Sequence, residues 1–202
     1  ELDRLRTRVA GLSNPDPGSR VDVAVDLERI ELIEEDGAVV DVRSRGRAPW
    51  TGDRGALVSG EAFRLVVRNF EDHPLRIAVL ENQTNGGVQV LFPRAGRGLD
   101  EHPVAPAATD RGPGELPLPV LSADEVPGDV TWKVLATREF VDVRALEYRV
   151  DCPGPNERGE PEGNVALLTM LTDRLSSTRG TVPFTVSDPW GTAAYEAVVI
   201  ER

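Results

Sequence analysis

Cysteine, lysine and methionine each occur once in the 202-residue chain, at Cys152, Lys133 and Met170, and aromatic residues make up 5%. A single cysteine excludes an intrachain disulfide, so we expect a reducing, cytoplasmic setting. No apolar run approaches the roughly 20 residues of a membrane span, and no signal peptide is visible. Because the chain starts at Glu1 and Met170 is its only methionine, we expect a processed piece of a longer polypeptide.

Positive charge is also scarce relative to negative charge, and the net charge is −11. Binding to nucleic acid or to an anionic membrane requires a basic surface that neutralises phosphate groups. The composition therefore argues against both of these partners.

The chain contains 16 prolines and 19 glycines, which favours short strands joined by turns. Alternating apolar and polar residues predict about eight strands and hence a mainly β fold, an antiparallel Ig-like or Greek-key β-sandwich. The segments with strand character are 21–27, 38–42, 62–68, 75–80, 88–92, 116–121, 130–137, 182–186 and 193–200. Loops are expected at 43–55, 95–117 and 151–163, and 116–121 should be an edge piece because it contains proline.

One or two short helices accompany the strands in this interpretation. Residues 164–177 have the best helical pattern, with Asn164 as the cap and an apolar stripe. Weaker signals lie at 1–12 and 140–148. The expected organisation is a helix or linker at 1–20 followed by one sandwich domain at 21–202, with a helical insertion at 151–178.

Motifs for catalysis or for a cofactor are weak. The sequence "PRAGRG" after the strand at 88–92 lacks the spacings of a phosphate loop. Cys152 has no recognisable nucleophile motif, and His73 and His102 lie 29 residues apart, which makes a zinc site improbable. The acidic stretch 26–37 lacks EF-hand spacing and is interpreted as a solvated turn. We therefore expect no cofactor, no metal and no catalytic residue.

Three tryptophans divide into a core residue and two candidates for a contact surface. Trp132 is in phase with the apolar face of a strand, which predicts a core position. Trp50 and Trp190 fall in predicted loops, where they could contact a partner or pin the loop through a buried indole. The other candidates for partner binding are arginines in the two long loops 95–114 and 151–163 or next to them, namely Arg94, Arg97 and Arg158. Arg158 is also a candidate cleavage site for an arginine-specific protease.

One segment resembles a known family. "SGEAFRLVVRNFEDHPLRIAVLENQTNGGVQVLFPRAG" (59–96) is followed by "LPLPVL", "GDVTWKVLAT", "VDVRAL" and "DPWGTAAYEAVVI" in that order. This series resembles a bacterial domain of unknown function that is found C-terminal to caspase-like protease domains. The resemblance covers a core at 59–200, and the segment 151–178 departs from it.

The resemblance implies an all-β accessory domain without catalytic residues, associated with a bacterial caspase-like protease in cis or in trans. The setting it implies is stress signalling or antiphage defence. Two alternatives remain open at this point. One is a glycan- or surface-binding sandwich of an exported protein, and the other is an enzyme that uses Cys152 or a carboxylate pair.

Overall fold

The computed structural model describes residues 20–49, 54–83, 87–93, 103–123, 126–138 and 190–201, together with Gly11, Ser13 and Val143. Within these ranges the chain forms eleven strands in two sheets and no helix. The prediction of a mainly β, sandwich-like fold is therefore confirmed. The expected helices at 1–12, 140–148 and 164–177 and the expected strand at 182–186 lie outside the described residues, apart from Gly11 and Val143.

The strands follow one another closely along the chain. Their bounds are β1 Val23–Glu35, β2 Ala38–Pro49, β3 Gly55–Val58, β4 Ala62–Asn69, β5 Leu75–Asn82, β6 Val88–Phe92, β7 Val104–Ala105, β8 Gly114–Pro117, β9 Leu121–Ser122, β10 Gly128–Thr137 and β11 Trp190–Ile200.

The first sheet has the order β2-β1-β4-β8, with β9 also pairing with β4. The second sheet has the order β3-β11-β10-β5-β6, with β7 also pairing with β5. Neighbouring strands are antiparallel in both sheets except for β3 and β11, which are parallel. The expected hairpin of β5 and β6 is confirmed.

Both sheets contribute alternate side chains to one core. Phe63, Leu65 and Val67 of β4 are fully buried on one face of the first sheet, as the alternation predicts. Trp132 is 1% exposed and packs against Phe63, with ring centroids 4.7 Å apart, and against Tyr195 at 6.4 Å. The predicted core position of Trp132 is thus confirmed, and its indole joins the two sheets.

Two predicted boundaries near the start of the fold are wrong. The segment 26–37 is not a solvated acidic turn, because β1 continues through it to Glu35. Residues 43–49 are not a loop, because they form the second half of β2, and β3 lies within the same expected loop. The alternation signal fails here because charged residues outnumber apolar ones in 28–36, and because 43–47 contain no apolar residue.

Later segments show smaller differences from the prediction. The expected loop 95–117 contains β7 and β8, each only a few residues long. The expected edge piece 116–121 divides between the end of β8 and the start of β9, and both pair with β4 at the margin of the first sheet. The prolines in this piece have no backbone N–H to donate to β4, so the piece does not form one continuous strand.

The indole of Trp132 supplies a test of the core. Its Nε1–H donates to Oε1 of Glu81 at 2.8 Å, directly across the β5–β10 pair. Glu81→Leu should cost about 1–3 kcal/mol of unfolding free energy, because it leaves a buried donor unpaired. Glu81→Gln retains an acceptor oxygen and should cost less than about 1 kcal/mol. Urea denaturation at neutral pH measures both, and equal losses in the two variants would contradict the assignment.

Candidate functional site

The β1–β2 hairpin extends beyond the sheet to which it belongs. β1 pairs with β4 only from Val23 to Arg29, whereas its pairing with β2 continues to Glu35. The hairpin closes through Asp36 and Gly37, both with positive φ (53° and 77°), which is the backbone of a type I′ turn. Residues 30–45 therefore form a two-stranded ribbon, called here the ribbon, in which β1 no longer pairs with β4.

Apolar side chains are concentrated on this ribbon. Leu32, Val39, Val40 and Val42 are between 39% and 52% exposed, and they are half of the eight large hydrophobic residues that are exposed in the described ranges. Exposed apolar side chains on a strand pair of this kind mark a surface for contact with another polypeptide more often than they mark a stable free surface.

A groove of about 600 Å³ opens at the base of the ribbon. The ribbon side supplies two arginines, the β3–β4 turn supplies the floor, and the end of β11 supplies a carboxylate. The lining residues are Arg29, Arg45, Val58, Ser59, Gly60, Glu61 and Glu201. The groove thus lies where the edge of the first sheet faces the edge strand β3 of the second.

The floor of the groove is a well-fixed turn. Oε2 of Glu61 accepts from the Val58 N–H at 3.0 Å, and the Glu61 N–H donates to the Val58 carbonyl at 2.8 Å. The Ser59 N–H donates to the carbonyl of Ile200 at 2.9 Å, which ties the turn to β11. Gly60 has φ +77°, a conformation that a side chain would strain. A binding partner would therefore meet a preformed floor.

Both arginines of the groove contact acceptors on other strands. Arg29 donates a hydrogen bond to the backbone carbonyl of Ala56 on the edge strand β3, at 2.5 Å. The Nε atom of Arg29 also lies 3.7 Å from the carboxylate of Glu61. Arg45 donates to Glu31 at 2.9 Å. The hydrogen bond from Arg45 lowers the pKa of Glu31 below its ordinary value. The groove consequently presents pairs of opposite charge, which suits recognition of a polar polypeptide surface.

Beneath Arg29 a small apolar cavity of about 40 Å³ reaches toward Tyr195. Tyr195 is 3% exposed, and burial raises the pKa of its phenol. A Cβ at Gly55 would lie 2.9 Å from the Tyr195 oxygen, so glycine allows β3 to approach the ring closely. This cavity is large enough for about one water molecule, and it serves packing.

A charge cluster covers the outward face of the first sheet. Its members are Asp26, Glu28, Arg47, Arg64, Arg68 and Glu115. Arg47 of β2 donates to both oxygens of Glu115 on β8, at 2.6 and 3.0 Å, and so bridges over the two strands that lie between them. Beneath this bridge Asp26 pairs with Arg68 and Glu28 pairs with Arg64.

The members of the charge cluster form ion pairs with one another, and the cluster has a structural role. Asp26 and Glu28 are only 3% and 5% exposed, and each has an arginine partner. A buried carboxylate that lost its partner would be costly, so the arginines hold the four strands in register. Because few of these charges remain for a ligand, the groove and the ribbon are the better site.

His73 is the histidine that the structure describes, and its ring nitrogens already have partners. His73 Nδ1 lies 2.9 Å from Asp72, and Arg138 donates to His73 Nε2 at 2.6 Å. Both ring nitrogens are thus occupied, including the one that a general base would use. Cys152 and His102 lie outside the described residues. Within the described residues no cluster of three metal-ligating side chains occurs, and no helix there is long and apolar enough to cross a membrane.

The single lysine of the chain is also a buried titratable group. Lys133 of β10 is 7% exposed, and burial lowers its pKa while the carboxylate of Glu196 acts in the opposite direction. Strongly perturbed groups concentrate at functional sites, but they also occur where a charge is merely packed. Lys133 does not line the groove.

Of the residues that the sequence proposes for partner binding, only Trp190 is described. It does not lie in a loop but is the first residue of β11, and it is 4% exposed. An indole so enclosed offers little surface to a partner, which agrees with the alternative of a buried, pinning tryptophan. Trp50, Arg94, Arg97 and Arg158 lie outside the described residues.

Sequence reasoning missed Arg29, Arg45, Glu61 and Glu201, which line the groove. These residues come together only through sheet pairing between distant segments, and nothing in their local sequence marks them. One pattern in the sequence could have indicated this region. Acidic and basic residues are frequent from Glu28 to Arg47, which is typical of a solvent-exposed segment.

The charge cluster predicts a pH dependence of stability. The hydrogen bond from Arg64 lowers the pKa of Glu28 from 4.5, with a smaller opposing effect of burial. A lowered folded-state pKa stabilises the fold above the unfolded value, and this contribution is lost as the pH falls through the folded-state pKa. Glu28→Gln should therefore cost about 1–3 kcal/mol at pH 7, and this difference should shrink below a pH of about 4.5.

Urea denaturation over a pH series checks this, with Glu34→Gln as the exposed control on the same strand. A cost of Glu28→Gln that stays constant from neutral to acid pH would show that the ion pair does not supply the stability.

Comparison with known proteins found no relative. A scan against protein-family models, a search of curated proteins and a search of solved structures each returned no match. The resemblance to a caspase-associated domain therefore depends on the sequence motifs alone.

Proposed function

We propose that the chain is a non-catalytic accessory module that binds another protein through the groove. The partner we propose is a caspase-like protease, in cis or in trans. The observation that carries the binding role is the groove itself, a preformed opening of about 600 Å³ between two sheet edges. The identity of the partner follows from the resemblance of 59–200 to domains that accompany such proteases.

The lining supports a polypeptide as the ligand. Arg45 and Glu31 are 61% and 45% exposed in their side chains, so both can exchange their mutual contact for groups on a partner. The pinned turn at Ser59 and Gly60 supplies backbone surface at the floor. A partner whose charged groups are complementary to those of the groove would be bound with greater specificity. Glycan binding gains no support, because the described loop-tryptophan candidate, Trp190, is buried.

Capture from a lysate of the source organism tests the proposal. The intact chain serves as bait, and quantitative mass spectrometry identifies the bound proteins. We expect a caspase-like protease in the eluate. Arg45→Glu should reduce its recovery at least about fivefold, because the substitution reverses a rim charge of the groove.

Two matched variants make the result specific. Arg111→Glu makes the same charge change at an exposed position that does not line the groove, and it should retain the protease. The double variant Glu31→Arg, Arg45→Glu restores the local ion pair but keeps the groove charge reversed, and it should still bind weakly. Eluates without a caspase-like protease, or recovery unchanged by Arg45→Glu, would contradict the proposal.

A further inference from the structure

We propose that the free edge of β2 pairs antiparallel with β2 of a second copy of this chain, in a register centred on Val42. This contact is separate from the groove and does not depend on the partner proposed above. It makes the dimer two-fold symmetric, with the same residues contributed by each copy.

The first step is the state of the β2 edge. Among the described strands β2 pairs only with β1, so its other side presents backbone groups to solvent. Val39, Val40 and Val42 are between 42% and 52% exposed along it. An exposed edge strand rich in β-branched apolar residues is a template for pairing with another strand.

The second step is the direction of the Val42 backbone. Val42 lies opposite Leu32 in the β1–β2 pair, yet its N–H donates to Oδ1 of Asp41 at 2.8 Å. This N–H is therefore directed to a side chain of its own strand rather than to β1. Because residues of an antiparallel pair alternate in direction, Val42 belongs to the set that faces the free edge. Two copies can thus place Val42 opposite Val42 and exchange a pair of hydrogen bonds, in which the partner's carbonyl replaces Asp41 Oδ1 as the acceptor of each Val42 N–H.

The third step is electrostatic and selects one register. Asp41 and Arg43 flank Val42, lie 3.4 Å apart (Oδ2 to Nε) and have side chains that are 55% and 68% exposed. Centring the pair on Val42 places Asp41 of each copy opposite Arg43 of the other. A register centred on Asp41 would oppose two aspartates, and one centred on Arg43 would oppose two arginines. Like charges directly across a strand pair destabilise it, so of these three registers only the one centred on Val42 is complementary.

Bulges limit the length of the contact. The β1–β2 register shifts next to Val40 and next to Arg45, and Gly46 has φ +115°. The regular part of β2 between the bulges is thus Asp41–Val42–Arg43–Ser44. A contact of this length is short and should give a weak, concentration-dependent dimer rather than a permanent one.

Sedimentation of the intact chain over a concentration series tests the inference. The wild type should show a monomer–dimer equilibrium. Asp41→Arg and Arg43→Asp each convert two attractive pairs per dimer into two repulsive pairs, so each should raise the Kd by roughly tenfold or more. The double variant Asp41→Arg, Arg43→Asp restores the attraction with reversed signs and should dimerise within about threefold of the wild type.

Val42→Pro provides a second, independent variant. It removes the N–H that faces the free edge without removing a donor to β1, and proline is tolerated at such positions of an edge strand. The variant should fold with a normal circular dichroism spectrum and remain monomeric.

Several outcomes would overturn the inference. A wild-type chain that stays monomeric at the highest soluble concentration would do so, as would a double variant that dimerises no better than the single variants. Stronger dimerisation by Asp41→Arg would show instead that Asp41 shields the Val42 N–H and protects the edge from pairing. Unchanged dimerisation of Val42→Pro would place the contact elsewhere.

Discussion

The unequal lengths of the strands beside β1 determine most of what is distinctive in this fold. β4 supports β1 only as far as Arg29, where the turn at Ser59 and Gly60 ends the pairing, while β2 accompanies β1 to Glu35. Beyond that point β1 and β2 continue as a pair without β4 beside β1. The ribbon and the groove at its base follow from this mismatch, whereas the free edge of β2 follows from its position as the last strand of the sheet.

The buried part of the molecule anchors this projection. Trp132 packs between Phe63 of the first sheet and Tyr195 of the second, so the two sheets share a rigid centre close to the strands that carry the groove. On the outward face of the first sheet, the Arg47–Glu115 bridge ties the outermost strands together over buried ion pairs. The hydrophobic core packs against one face of β1, and the ion pairs of the charge cluster cover the other face. Both sets of contacts involve the part of β1 that pairs with β4.

The sequence predicts the sandwich class because strands with one buried face show alternating apolar residues, as in Phe63, Leu65 and Val67. It also identifies Trp132 as core by the same periodicity. It fails for the ribbon, since charged residues outnumber the apolar ones in the second half of β1 and 43–47 contain no apolar residue, so residues 43–49 are mistaken for a loop. The groove residues Arg29 and Glu61 meet only through long-range pairing, which local patterns do not contain. Trp190 is misplaced because the preceding proline suggests a loop where β11 begins.

The ribbon and the groove at its base are the proposed binding surface for other polypeptides. Within this surface, the free edge of β2 is the proposed site of backbone pairing. Residue-resolved hydrogen exchange at several protein concentrations tests this most directly, because it reads the backbone amides themselves. The account predicts that protection of the Val42 amide rises with concentration, while amides in the β1–β4 pair stay unchanged. Exchange at Val42 that is independent of concentration, or protection that rises equally throughout the fold, would contradict it.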